Sequence, residues 1–230
     1  MIADVLIGEA KLPVALTIQP KPLSNKYHVP FSIRGLPVTK KFIDRPAEMQ
    51  PLQETLLSKS DRRKTFVLRG LGGIGKTQLA IEFIRMHQSK FSAVFWLDGN
   101  TEDSLKRTLA RYAGKIPPEQ MSDTSKIFIR SGEGDVDTVV QEVLEWLAVA
   151  DNSEWLLVFD NVDQENEYDI EQYLPDADHG SILITTRLAR MEQLGDSQEI
   201  GKVSNDTALA ILKSRYKGSY GEDADFIKLS

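Results

Sequence analysis

Residues 70 to 77 spell GLGGIGKT, a G-x-x-x-x-G-K-[ST] pattern. It lies between the apolar run Thr65-Phe66-Val67-Leu68-Arg69 and the helix-like run Gln78-Leu79-Ala80-Ile81-Glu82-Phe83-Ile84. Gly70, Gly72, Gly73 and Gly75 lack a Cβ, so the backbone there can take positive φ and turn successive N–H groups around an anion. A helix opening near Lys76 adds its unpaired first-turn donors and the positive end of its dipole. Lys76 is a mobile point charge suited to outer phosphates, and Thr77 offers a hydroxyl suited to Mg²⁺. The chemistry these types and spacings allow is the capture of a polyphosphate with its metal ion.

Two further groups complete such a site. The run LLVFDNVD, residues 156 to 163, ends an apolar strand in Asp160, which places a carboxylate at the carboxyl edge of a sheet, where it can hold Mg²⁺ through a coordinated water. Standing alone, Asp160 would read as a cap on the following turn. Asn161 follows it; an amide can hold an attacking water but cannot accept its proton, and Asp163 or Glu165 is a substitute acid. Thr185-Thr186-Arg187 ends another strand, and a guanidinium bonded to a γ-phosphate would tell ATP from ADP. The competing reading of Arg187 is a solvated arginine in a strand-to-helix turn, and Arg190 is the spare candidate.

These residues need a sheet to bring them together. Continuous apolar runs predict strands over 65–69, 93–97, 155–159 and 182–185, with a short fifth near 198–203. Between them, helices are expected over 46–58, 78–87, 102–113 and about fifteen residues entered near Asp135. The first fits Pro51 only if it begins close to that proline. Val136, Val139, Val140, Val143, Leu144 and Leu147 give the clearest helical stripe. The alternation predicts a three-layer α/β sandwich. Residues 115–134 read as a long polar connection, and a final helix from Ser204 turns Leu209, Leu212 and Tyr216 inward and ends around Gly218. Pro13, Pro20, Pro22, Pro30 and Pro37 make residues 1–41 an extended or irregular arm.

Composition narrows the function classes. The 230 residues can bury a sizeable core, and 41% hydrophobic with 27% charged residues is the balance of an ordinary globular protein. A net charge of −6 argues against a general nucleic-acid surface. The chain has no cysteine, hence no thiolate metal site, disulfide framework or cysteine nucleophile, which fits a reducing, cytoplasmic location. The apolar start carries Asp4, Glu9 and Pro13 and is read as no secretory leader; no run approaches the ~20 residues of a membrane span. His28, His87 and His179 are too scattered to form a metal cage.

In order, Phe42-Ile43-Asp44-Arg45, GLGGIGKT, LLVFDNVD and GSILITTR at 180–187 resemble the NB-ARC nucleotide-binding core of STAND-class signal-transducing ATPases. Such cores occur in NLR immune receptors and in the apoptosome-forming adaptors of programmed cell death. The resemblance spans about residues 29 to 216. It implies a P-loop NTPase fold with a parallel sheet of order 5-1-4-3-2, ADP bound at rest, ATP with Mg²⁺ in an active state, and homo-oligomerisation when ATP-bound. Carried over residue by residue, Gly72, Gly73, Ile74, Gly75, Lys76 and Thr77 match the Walker A loop, and Gln78 a phosphate-contacting helix residue. Asp160 matches the Walker B acid, Arg187 the sensor, and Ile43 with Arg45 the adenine-side motif. Lys76, Asp160 and Arg187 would carry any chemistry, with Thr77 and Asp160 at the metal. Two departures, Asp44 where glycine is usual and Asn161 where a second acid is common, favour binding over rapid turnover.

The same resemblance divides the chain into an arm at 1–41, an NB-ARC domain at 42–203 and the start of a helical subdomain at 204–230. It implies a longer chain, with an upstream effector segment, a winged-helix segment and tetratricopeptide or WD-type repeats. Residues 204–230 contain no G-L-P-like motif of that subdomain and no M-H-D-like histidine. The expected function is therefore an ADP/ATP-binding switch module with slow or absent hydrolysis. A turnover-competent ATPase or kinase is the alternative, using 115–134 as a lid, and a nucleotide-free scaffold is a third class.

Overall fold

A computed structural model of the chain describes residues 29, 31–32, 35–39, 42–164, 168–202 and 205–215, with the backbone alone at 206 and 212–215. The elements run α1 (Pro46–Leu56), β1 (Lys64–Gly70), α2 (Lys76–His87), β2 (Ala93–Asp98), α3 (Glu102–Ala113), α4 (Asp123–Ser131), α5 (Val136–Ala148), β3 (Trp155–Asp160), β4 (Ser181–Thr186), β5 (Asp196–Ile200) and α6 (Asn205–Arg215). The five strands form one parallel sheet of order β2-β3-β4-β1-β5, the order the resemblance implied read from the other edge. β4 is therefore hydrogen-bonded to β1, with Thr186 opposite Arg69, and β3 lies between β4 and β2, with Asp160 opposite Asp98.

The period of two along each strand sorts the core into two layers. Phe95, Leu97, Leu157, Phe159, Ile182 and Ile184 pack with Leu105, Leu109, Val139, Val143 and Leu147 of α3 and α5. Phe66, Leu68, Val94, Trp96, Leu156, Val158 and Leu183 pack with Leu52, Leu56, Leu79, Phe83 and Ile84 of α1 and α2. Because both faces are covered, the inner strands are apolar without alternation. Helix entries are set locally: Thr101 and Ser104 form a reciprocal capping box at α3, and the Asp135 carboxylate accepts from the N–H groups of Asp137 and Thr138 at α5.

Four expectations are corrected. α1 begins at Pro46, the start expected for it, but that start is not beside Pro51. Pro51 sits inside the helix, and the Ala47 carbonyl, which it cannot serve, accepts instead from Gln198 Nε2 at 3.3 Å. The stretch 115–134 is not an open connection: it holds a short 3₁₀ turn and α4, whose Ser122 cap and Ser125 hydroxyl both bind the Glu142 carboxylate of α5. β5 starts two residues earlier than expected, and Leu209 on α6 is exposed rather than inward. Ser204, Tyr216 and Gly218 lie outside the described residues, as does the arm before Val29.

From Val29 the chain runs along the β2 edge. The Val29 N–H donates to Ser92 O at 2.9 Å and its side chain is buried; Phe31 then packs on Trp96. Further on, the Gln78 side chain clasps residues 37–39, donating to Pro37 O and accepting from Thr39 N at 3.1 Å. No helix among the described residues is long and apolar enough to cross a membrane.

Candidate phosphate-binding site

β1 delivers the chain to Gly70 at the carboxyl edge of the sheet, and α2 takes it back from Lys76, so GLGGIGKT forms the turn between them. Gly73 and Gly75 stand at φ 77° and 101°, the left-handed region that turns backbone N–H groups to the inside of the loop. Gly70 is glycine for a different reason. A Cβ there would lie 2.6 Å from Ile200 O, so the β5 backbone excludes a side chain.

The loop is propped from beneath by Arg45. Its buried guanidinium donates from Nη1 to Ile74 O at 2.9 Å and pairs with Glu48 at 2.7 Å, and a Cβ on Gly75 would come within 3.1 Å of Nη1. The sequence offered Arg45 and Ile43 as an adenine-side motif; the structure brings Arg45 against the phosphate loop and leaves Ile43 half-buried ahead of α1. The side-chain amide of Gln78, matched to a phosphate-contacting residue, bonds Pro37 O and Thr39 N.

Lys76 is 7% exposed, and its ammonium donates to Gly70 O at 2.7 Å and Leu71 O at 3.0 Å. Burial pushes its pKa down, against the pull of Asp163 and Asp160. Thr77 Oγ1 donates to Asp160 Oδ1 at 2.9 Å, and Thr185 Oγ1 donates to the same oxygen at 2.6 Å. Asp160 is 5% exposed, and burial pushes its carboxyl pKa up, although both hydroxyls and Lys76 favour the charged form.

This donor set fits the magnesium nucleotide that the family resemblance implies. A hydroxyl and a carboxylate in contact are hard oxygen ligands, and a divalent cation would offset the cost of burying the Asp160 charge. Among the described residues no group of three or more His, Cys, Asp or Glu side chains could hold a metal, so phosphate oxygens and water would have to complete the shell.

On β4, Thr185 and Thr186 are wholly buried and serve the sheet edge, Thr185 through Asp160 and Thr186 through Val162 O. Arg187 emerges beside the loop; its N–H and Nε donate to the two Asp163 carboxylate oxygens, each at 2.7 Å. Asp163, a proposed substitute for a second acid, is thus engaged with Arg187, and Glu165 lies outside the described residues. Asn161 has φ 63° and donates from its backbone to Thr185 Oγ1 at 3.0 Å. A residue that sequence reasoning missed is Asp98. It lines one cavity of about 850 Å³ with Thr77, Asp160 and Asn161, and only the pairing of β2 with β3 brings it there.

The NB-ARC domain model matches residues 45–215. Among solved structures, Cdc6p from Pyrobaculum aerophilum is similar at 17% identity over 80% of this chain and 54% of its own, with a TM-score of 0.53. The ORC2 protein of Aeropyrum pernix, solved as ADPNP–ADP complexes, is 13% identical over 77% of this chain and 53% of its own, with a TM-score of 0.47. The chain spans about half the length of these structures. None of the curated proteins compared matches it. At such identities the likeness is one of fold, a parallel P-loop α/β sandwich.

Proposed function

The chain belongs to the NB-ARC family and carries its nucleotide-binding P-loop ATPase module, and from that premise we propose that it works as an ADP/ATP switch with slow hydrolysis. The observation that carries this reading is the contact between Thr77 and Asp160 directly beneath the glycine loop. It joins the first turn of α2 to the end of β3, so a magnesium nucleotide seated on Lys76 and Thr77 would act on two elements at once. Lys76 and the loop N–H groups would hold the phosphates; Thr77 and Asp160 would hold the ion, which supplies charge neutralisation at the β- and γ-phosphates.

In this reading Arg187 reads the γ-phosphate. Its Nε is engaged with Asp163, which holds the side chain at the β4 end, and its terminal nitrogens make no hydrogen bond among the described residues. ATP and ADP would thus differ in whether this arginine is drawn toward the loop. An amide at position 161 supports holding over cutting, because it cannot take a proton from water. In this reading the nucleotide state is transmitted to neighbouring domains of a longer cytoplasmic signalling chain, with self-association in the ATP state.

The test uses the purified chain. Denaturing it and chromatographing the supernatant should release ADP or ATP, or the chain should take up added nucleotide, with turnover far below the ~10 s⁻¹ typical of enzymes. Neither bound nor added nucleotide would end the switch reading, and steady turnover near that enzyme rate would make the protein an ordinary ATPase.

A further inference from the structure

Position 161 holds an amide, and Asp163, the nearest downstream acid, is bound at both oxygens by Arg187. Resting on the nucleotide-binding reading, we propose that Asp98 supplies the missing carboxylate from the neighbouring strand and takes the proton of the water that attacks the γ-phosphate.

Four observations place it. Asp98 and Asp160 are paired residues of parallel strands, about 4.8 Å apart in such a ladder, so their side chains project from the same face. That face is the one carrying Val94, Trp96, Leu156 and Val158, which α2 covers, and α2 opens with Lys76 and Thr77. Asp98 lines the same cavity as Thr77, Asp160 and Asn161. Its charge is also felt at Asp160, where it adds to the upward push on that carboxyl.

The side chain is held for the task. Asn100 N donates to Asp98 Oδ1 at 3.1 Å, and the Asp98 N–H donates to Thr108 Oγ1 at 3.2 Å, so the end of β2 is tied to α3. Oδ2 makes no hydrogen bond among the described residues and is the oxygen offered to a water in the cavity. Ser32, Gly35, Leu36 and Pro37 line the same cavity, and Gln78 donates to Pro37 O. Water access to Asp98 is therefore bordered by the arm.

The step balances with ATP and water alone. The water oxygen bonds to the γ-phosphorus as the bond from that phosphorus to the β,γ-bridging oxygen breaks. ADP leaves with the electron pair, and the water proton passes to Asp98 and on to the released phosphate.

The experiment loads the full chain with ATP and Mg²⁺ and follows a single turnover, with ADP affinity measured alongside. Asp98→Asn should slow cleavage about 100-fold, the lower end of general-base contributions, while ADP affinity stays within about twofold. Adding Asn161→Asp in that background should restore cleavage to within about tenfold of the parent, because the acid returns from the adjacent strand. Three outcomes would overturn the proposal and leave nucleotide binding standing: Asp98→Asn cleaving at the parental rate, a parent that binds ATP without ever cleaving it, and a double variant as slow as Asp98→Asn. Loss of ADP affinity in Asp98→Asn would make the residue structural and also overturn it. A parent that binds no nucleotide would instead fail the reading on which the proposal rests.

Discussion

Arg187 shows how much one side chain's role depends on its partner. Its Nε–Asp163 contact is 2.7 Å, yet the arginine side chain is 57% exposed, so water screens the pair and it contributes little to stability. A γ-phosphate would compete for the guanidinium on better terms, because it offers several charged oxygens. Arg187→Ala should therefore reduce the preference for ATP over ADP by about tenfold, roughly one charge-assisted hydrogen bond, with ADP affinity nearly unchanged. Competition of fluorescent ADP against a non-hydrolysable ATP analogue reads the ratio, and an unaltered ratio would return Arg187 to the status of a solvated turn residue. At this scale the legible residues were those whose partners are close in sequence or fixed by a motif: the loop glycines, Lys76 and Thr77, with Asp160 at its strand end. Arg45 under Ile74 O, Gln78 on Pro37 and Asp98 beside Asp160 were not legible, since each depends on packing or strand register across tens of residues.

The elements were read best where burial is continuous. β1 to β4 are apolar runs because helices cover both faces, and their bounds differ from the expected ones by no more than a residue at each end. α4 was missed because what holds it lies elsewhere. Its own sequence, DTSKIFIRS, leaves Ile127 and Ile129 exposed, and it is tied down by Ser122 N, Ser122 Oγ and Ser125 Oγ donating to Glu142 on α5. Burial pushes the Glu142 pKa up, but these donors outweigh it and the net shift is downward. A depressed carboxyl contributes stability that is complete above the ordinary glutamate range, near pH ~4.3, and is lost as pH falls through its lower folded value. Glu142→Gln should accordingly weaken α4 by about 1–2 kcal/mol at neutral pH and flatten that acid dependence. Hydrogen exchange of the α4 amides at a series of pH values checks both effects; equal protection in parent and variant would mean that α4 is held by Phe128 and its apolar neighbours alone.

For the molecule as a whole, the sheet is one continuous hydrogen-bonded unit with the candidate site at its carboxyl edge. β1 and β4 lead into the site, β3 supplies Asp160, and α2 begins in it. A ligand there contacts the same strands that organise both core layers, so its binding free energy should appear as stability of the entire fold rather than of the loop. With Mg²⁺ and ADP at about 100 times the dissociation constant, mass action adds about 2.7 kcal/mol. For a protein of 150–250 residues each kcal/mol moves Tm by roughly 2–4 °C, which gives a rise of about 5–11 °C in one transition. Lys76→Ala should lose nearly all of that rise, since the buried ammonium is the loop's only lysine, while its own Tm changes little. Two resolved transitions, with only the lower one moved by nucleotide, would show instead that the loop and α2 melt apart from the sheet. Retention of the full shift by Lys76→Ala would place the nucleotide on another part of the molecule.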